Sequence, residues 1–186
     1  MNTIDLMIEE HRLIKRILGV IRKACFGILK GEAICYEDFE QMMDFVKNYA
    51  DAHHHGKEEK FLFNEMEERL GALGQKLIRN GMLVEHDLGR LYMSELRDAL
   101  ERTKAGDEES KLDVIANAVG YTHLLDRHIT KEDDVVYNFA RRQLPQEILE
   151  EIDEKADLFE EEALLKGTQE KYLQIVEGLE RKYEVH

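Results

Sequence analysis

Apolar residues recur at spacings of three and four along most of this chain, which is the pattern of helices packed side by side. The first such stretch runs from about Thr3 to Lys30, and its inward positions are Ile4, Met7, His11, Ile14, Leu18, Ile21, Cys25 and Ile28. The alternating steps predict a helix, helix A, that packs against its neighbours at a shallow angle. Gly31 is expected to end it.

Three more long helices follow the same pattern. They are predicted as helix B from about Tyr36 to Arg69, helix C from about Gln75 to Lys104 and helix D from about Glu108 to Arg142. Gly71 and Gly74 bracket the turn between B and C, and Gly106 ends C. Asp107 is the expected N-cap of helix D, because a short acidic side chain accepts hydrogen bonds from the free N–H groups of a first turn.

Two shorter helices are expected after helix D. Pro145 fits the first turn of an acidic helix, and Gly167-Thr168 precedes a last helix from about Gln169 to Tyr183. The predicted fold class is therefore all-α: an up-down-up-down four-helix bundle over residues 1–142, with a C-terminal helical extension over 143–186 that covers one end or side. The length of 186 residues favours a single domain, 1–186.

One ten-residue pattern occurs twice, 74 residues apart, over 54–63 and 128–137. It reads His-x-x-Lys-Glu-acid-x-apolar-apolar-aromatic. A shorter echo runs in step with it, since Glu10-His11 recurs as Glu85-His86. Helices A–B and C–D are thus predicted to be two versions of one αα-hairpin.

The repeated motifs place four histidines and two glutamates at matching levels: His11, His54, Glu58, His86, His128 and Glu132. In antiparallel neighbours, two residues share a level only if they lie equally far from the connecting loop. His11 lies about 19 residues before the end of helix A, and His54 about 18 after the start of helix B. Within each His-x-x-x-Glu pair the two side chains share a face. The sequence therefore predicts a two-metal site; the alternative is a buried hydrogen-bonded His–Glu network without metal.

Imidazole and carboxylate without thiolate suit iron or manganese best, with zinc possible. The expected cofactor is a pair of such ions with bridging carboxylates and an oxo or hydroxo bridge. An open position on each ion would bind dioxygen, peroxide, nitric oxide or azide.

These motifs resemble the hemerythrin-like HHE cation-binding family. The resemblance is carried by four segments, over 54–59, 85–90, 128–132 and 167–172, and extends over nearly the whole chain. It implies a four-helix bundle around a non-haem di-iron centre whose ligands are the six residues above. One position differs: oxygen-carrying hemerythrins have a second histidine one turn after the third ligand, where this chain has Arg90. Six protein ligands would leave the second metal more open, which favours reaction or sensing over transport.

Three functions follow from such a centre. The first is binding or sensing of dioxygen or another small oxidant. The second is a di-iron enzyme that acts on peroxide or nitric oxide. The third is iron handling, including donation of iron for the repair of iron–sulfur clusters. The six-ligand set also resembles the di-iron domain of proteins that carry out this repair. A purely structural zinc site is a more distant alternative.

The net charge of −14 argues against nucleic acid or an anionic membrane as a partner. No apolar run approaches the length of about 20 residues that a membrane span needs. Cys25 and Cys35 form neither a disulfide framework nor a zinc knuckle, so we expect a reducing cytoplasm. The expected partner is a small diatomic ligand or peroxide.

Histidines beside the predicted ligands compete for these roles. His54 is preferred over His53 because its downstream context matches that of His128. His55 is expected to pair with Glu59 one turn on, and His123 to lie on the surface or in a hydrogen bond.

Other residues near the layer have both a structural and a functional interpretation. Lys57 and Lys131 are interpreted as solvated or salt-bridged flanks; the alternative is that they guide anions to the entrance. Glu10 and Glu85 would orient a neighbouring imidazole or bind metal. Gly89 eases helix packing or leaves room for a small ligand. Either core packing or a hydrogen bond to a ligand is expected of Tyr49, Tyr92 and Tyr121.

Overall fold

The computed structural model describes residues 2–185, and over that range the chain is helical with no strand. The first of four bundle rods is α1 (Thr3–Leu29). The second contains α2 (Tyr36–Phe45), the π-helical segments Val46–His55 and Glu58–Phe63, and α3 (Asn64–Arg69). The third contains α4 (Gly71–Leu77), the π-helical segment Ile78–Met82 and α5 (Leu83–Lys104). The fourth contains α6 (Lys111–Lys131), the π-helical segment Glu132–Val136 and α7 (Tyr137–Gln143).

The predicted all-α fold class is confirmed, and two further helices form the C-terminal extension. They are α8 (Gln146–Leu165) and α9 (Thr168–Tyr183). Helix α9 adds Tyr172 and Val176 to the core beside α1 and α2, while α8 adds Ile148 and Ile152 to the core at the other end of the bundle. The extension therefore packs along the side of the bundle.

Two helix starts differ from the sequence prediction. Helix α4 begins at Gly71, which has a positive φ of 61°, rather than at Gln75. Gly74 consequently lies inside a helix, where an added Cβ would sit 2.4 Å from the backbone oxygen of Met66. Only glycine fits that contact, so this residue allows two consecutive helices to approach closely.

The expected N-cap Asp107 does not begin the fourth rod, because α6 starts later, at Lys111. Asp107 instead lies in the turn that precedes α6. Its carboxylate accepts hydrogen bonds from the backbone N–H of Glu109 at 3.1 Å and from the hydroxyl of Ser110 at 2.7 Å.

The hydrophobic core is divided into two clusters. One lies towards the end that contains Phe39, Leu96 and Val114, and the other contains Ile4, Met66 and Ile78 at the opposite end. The conserved spacing of the repeat places the histidine layer between them, so apolar side chains seal it from above and below. Over residues 2–185, no helix is long and apolar enough to cross a membrane.

Candidate metal centre

The six residues singled out by the repeat lie in one buried layer, and each is at most 1% exposed. Their donor atoms form two groups in which all atoms lie within 4.8 Å of one another. The first group is His11, His54, Glu58 and Glu132, and the second is His55, Glu58, His86 and His128. Glu58 belongs to both groups. The structure thus brings the predicted residues together, while their role as ligands remains a prediction.

The two carboxylates lie between histidines of different groups. Glu132 lies 3.3 Å from Nε2 of His11 and 2.9 Å from Nε2 of His128. Glu58 lies 3.8 Å from Nε2 of His54 and 3.5 Å from Nε2 of His86. Each carboxylate therefore faces both halves of the layer, which is the arrangement that a pair of bridging carboxylates needs.

Widened helical turns supply much of this layer. His54 and His55 end one π-helical segment, and Glu58 and Glu132 each begin another. Such segments are rare in ordinary helices and occur most often at functional sites. Consecutive side chains on a regular helix point about 100° apart. A wider turn reduces that angle, which allows both His54 and His55 to face the interior.

A second ring of carboxylates holds the Nδ1 atoms of the layer. The pairs and their separations are His11 with Asp133 (2.7 Å), His54 with Glu10 (2.8 Å), His86 with Glu59 (2.7 Å) and His128 with Glu85 (2.9 Å). An imidazole that donates through Nδ1 presents its Nε2 lone pair on the other side. All four rings are thereby oriented with Nε2 towards the layer.

The sequence repeat accounts for these contacts. The acid before each lone histidine, Glu10 or Glu85, holds the histidine of the next rod, as one of the two interpretations from sequence had it. The acid after each layer glutamate, Glu59 or Asp133, holds the lone histidine of a neighbouring rod. Sequence reasoning missed this second pair of roles, although the acidic position was part of the ten-residue pattern.

His55 is the main residue that sequence reasoning did not place in the layer. The expected pairing with Glu59 is wrong, because Nδ1 of His55 faces Asp51 at 3.4 Å and the His55 ring stacks on His86 at a centroid distance of 3.8 Å. Arg90 leaves α5 without a second layer histidine, and His55 on the second rod supplies an additional imidazole to the same group. Seven donor residues therefore surround the layer rather than six.

A separate buried cluster surrounds Lys57, which is fully buried. Its ammonium group contacts Glu10 and Glu160, and lies 3.2 Å from Nε2 of His53. Of the two interpretations from sequence, the salt-bridged one is therefore confirmed for this lysine and the solvated one is wrong. Its repeat counterpart Lys131 is half-exposed and pairs with Glu85. His53 belongs to this cluster, and Glu160 comes from α8 of the extension.

Tyr137 is the tyrosine that reaches the layer. Its hydroxyl donates a hydrogen bond of 2.5 Å to Glu58, and its ring stacks on His11 at 5.7 Å. The repeat counterpart is Phe63, which stacks on His86 at 5.9 Å and has no hydroxyl. In the sequence, Tyr137 is recognisable only as the aromatic end of the repeated pattern.

The three tyrosines considered from sequence lie elsewhere. Tyr49 packs against Phe45 at 5.0 Å, and Tyr92 fills the space above Gly120. Tyr121 is buried beside a cavity described below. His123 is an exposed residue that contacts Arg22 at 2.8 Å, as expected, and His186 lies outside the described residues.

The electrostatics of the layer differ between its imidazoles. Although burial acts to lower the pKa of His11 and of His128, Asp133 and Glu132 raise that of His11, and Glu132 and Glu85 raise that of His128 to about 9. Burial, together with the charge of Glu132, raises the pKa of Glu58 well above its ordinary value. Although burial acts to raise the pKa of Glu132, the neighbouring His128 holds this pKa well below its ordinary value. Burial lowers the pKa of His54 to about 4 and that of His55 well below its usual value. Both of these imidazoles are therefore neutral at pH 7, as metal binding requires.

The layer contains buried polar atoms that the protein itself does not satisfy. Among the described residues, these atoms without a hydrogen-bond partner include His11 Nε2, His54 Nε2, Glu58 Oε2 and both carboxylate oxygens of Glu132. Such atoms are costly unless something binds them. A cation bound by nitrogen and oxygen would satisfy them all, and the donor set of imidazole and carboxylate fits iron, manganese or zinc.

Comparison with known proteins gives one result. The sequence model described as the hemerythrin HHE cation binding domain matches residues 2–140. That segment contains every residue of the layer and every acid that orients it. A search of curated proteins and a search of solved structures found no match.

Proposed function

Because this chain belongs to the hemerythrin HHE cation-binding domain family, we propose that its buried layer holds two iron ions and binds or senses dioxygen or a related small oxidant. The family and the clustered histidines and glutamates support a metal-binding role. The identity of the metal as iron and the nature of the small ligand are our proposal.

The observation that carries the proposal is the set of unsatisfied atoms in the layer. They belong to residues from three different rods, and they lie in the buried layer of the bundle. The outer carboxylates meanwhile bind Nδ1 of the same histidines. Some inward atoms contact one another, as Nε2 of His86 and Nε2 of His128 do at 3.1 Å. The buried atoms above have no hydrogen-bond partner among the described residues, and this supports a bound cation.

A pair of bound redox-active ions would supply open coordination positions for dioxygen, nitric oxide or peroxide. The protein contributes position, proton control and exclusion of water. Glu58 and Glu132, which each lie between histidines of both groups, would hold the ions, and the Tyr137 hydroxyl donates a hydrogen bond to Oε1 of Glu58. The apolar clusters on both sides keep bulk water away from the layer.

His55 decides how open the second position would be. If His55 joins His86 and His128, that ion has three imidazoles, and the position beside His11 and His54 is the more open one. If His55 remains outside, the second position is the more open, as the six-ligand prediction had it. The variants His55→Ala and His54→Ala distinguish these arrangements by the amount of metal retained.

The cavity that reaches His55 and His86 favours a second candidate, a di-iron enzyme that acts on peroxide or nitric oxide. A protein that only binds a diatomic ligand needs little more than a narrow channel. An enzyme predicts turnover that His86→Ala abolishes while the helical fold is retained.

The first experiment is elemental analysis with an ultraviolet–visible spectrum after expression in iron-rich medium. We expect two irons per chain and the charge-transfer absorption of a bridged pair. His86→Ala should lose iron, and the exposed His123→Ala should keep it. One zinc per chain, or equal metal content in both variants, would contradict the proposal. Iron that leaves rapidly to a chelator would instead favour iron handling.

A further inference from the structure

A cavity of about 230 Å³ lies between the second rod and α5. At one end it reaches His55 and His86 of the layer. The Asp51–Arg90 ion pair, at 2.8 Å, lies one turn further along both helices. The two helices run antiparallel here. Residue numbers therefore decrease away from the layer on the second rod and increase away from it on α5.

The cavity extends further along the same faces of the two helices. Lys47 lies a further turn along the second rod, and Arg97 lies eleven residues beyond His86 on α5. At 1.5 Å per residue, that end of the cavity is about 16 Å from the layer. The residues that line the cavity thus extend from the histidine layer to Lys47 and Arg97, and on the second rod beyond Lys47 to Met43.

Apolar side chains form most of the rest of the cavity wall. Val46 and Met93 line it from the two helices, and Tyr121 lines it from α6. Gly89 contributes only backbone, and the nearest side-chain atom to an added Cβ there is a Tyr121 ring carbon at 3.5 Å. The absence of a side chain at Gly89 therefore leaves space in the cavity beside that ring. This supports the second interpretation of Gly89, that it leaves room for a small ligand.

The basic residues of the cavity differ in their pairing. Arg90 is neutralised by Asp51, Glu59 and Asp87 at 2.7–2.9 Å. By contrast, Lys47 and Arg97 have no ion pair with any residue of 2–185. Other basic residues, such as Lys15 and Arg127, likewise have no ion pair with any residue of 2–185. Lys47 and Arg97 differ from them because both line the same cavity, in a chain whose net charge of −14 otherwise repels anions.

We propose that this cavity binds a medium-chain monocarboxylate, with its carboxylate at Lys47 and Arg97 and its hydrocarbon chain along Val46 and Met93. At about 30 Å³ per water-sized group, the volume holds roughly eight such groups. An eight-carbon acid matches that size, and its far end reaches towards His55 and His86. The inference goes beyond the proposed function, because it depends on the residues that line the cavity and on no bound metal.

The test is a calorimetric titration of the purified full chain with octanoate, and in parallel with octanol and octylammonium. Octanoate is expected to bind, octanol to bind more weakly and octylammonium not to bind. Removing one cation by Arg97→Gln or Lys47→Gln should weaken octanoate about two- to fivefold, the range expected of an exposed ion pair. The variant Arg142→Gln removes an exposed arginine that does not line the cavity, and it should leave the affinity unchanged.

A second set of variants fills the cavity with a larger side chain. Gly89→Leu should weaken octanoate more than tenfold, and Gly89→Ala less, because the methyl group makes only ordinary contacts. Gly178→Leu makes the same change where an added Cβ meets nothing within 4 Å, so it controls for added bulk. Circular dichroism and thermal unfolding would establish that each variant folds.

Three outcomes would overturn the inference: no heat with octanoate, equal binding of octanol, or unchanged binding in a folded Gly89→Leu variant. None of these results bears on the metal centre, because the titration does not monitor metal. A loss of iron without a loss of octanoate binding would instead contradict the proposed function alone.

Discussion

Replacing Lys57 by methionine tests the buried charge cluster beside the layer. The ammonium group contacts the carboxylates of Glu10 and Glu160, and the lysine is fully buried. Removing it leaves Glu10, itself only 5% exposed, facing Glu160 with the imidazole of His53, 3.0 Å from Glu10 and 3.2 Å from Glu160, in place of the ammonium group. Breaking a buried pair in this way typically costs about 3–5 kcal/mol. We expect a loss of that size in the free energy of unfolding.

The repeat supplies a matched control. Lys131→Met removes the corresponding lysine, whose side chain is 49% exposed and pairs with Glu85. An exposed pair is screened by solvent and typically contributes about 0.2–1 kcal/mol. Urea unfolding of both variants and of the parent, each stripped of metal by a chelator, measures the difference. Metal is removed because a bound ion would itself stabilise the folded state.

The reasoning would be refuted by equal losses in the two variants, since exposure is the main difference between the two sites. A double variant, Lys57→Met with Glu160→Gln, adds a further check. Neutralising one carboxylate should recover part of the lost stability if the cost is electrostatic. If the double variant is less stable than Lys57→Met alone, lost packing rather than unpaired charge accounts for the effect.

Three further predictions concern single residues. Tyr137→Phe should lower the free energy of unfolding of the metal-free chain, measured in urea, by about 1–3 kcal/mol, because the buried carboxylate of Glu58 loses the hydrogen bond that it accepts from Tyr137. The same variant should shift the absorption spectrum of the iron-loaded chain. Gly74→Ala should lower the melting temperature despite the usual helix preference for alanine, because the new methyl group would overlap the backbone oxygen of Met66; an unchanged or higher value would contradict this contact. Burial raises the pKa of the Cys25 thiol from about 9 to about 11, so the thiol ionises at lower pH in the unfolded chain than in the folded one. The free energy of unfolding should therefore fall as pH rises through that interval, by about 1 kcal/mol between pH 8 and 10. Urea unfolding at the two pH values measures this change, and Cys25→Ala should remove it.

The helices and the level of the site follow from local sequence features. Apolar spacing gives the four rods, and Gly31 and Gly106 mark turns because both adopt a positive φ. Equal distances from the loops place His11, His54 and their counterparts in one layer, since regular helices have a fixed rise. These features depend on residues near each other in the chain, which makes them readable from one sequence.

The residues that sequence reasoning missed depend on deviations from the regular helix or on distant contacts. His55 faces the layer because the helix widens there, and a regular helix would turn it away from His54. Glu160 approaches Lys57 from 103 residues further along the chain, and no spacing rule gives that pairing. Tyr137 was visible as a mismatch with Phe63 in the repeat. A comparison of the two halves position by position would have drawn attention to it.

The division of the core has a consequence for how the bundle opens. Most helical bundles fray from their tips inwards, because the terminal turns are the least supported. Here the apolar packing lies towards both tips, and the waist between them consists of ionisable groups with unsatisfied atoms. Withholding the cation should therefore loosen the waist first. Backbone amides of the π-helical segments would then exchange with deuterium before those of the outer turns, a reversal that loading with metal should cancel.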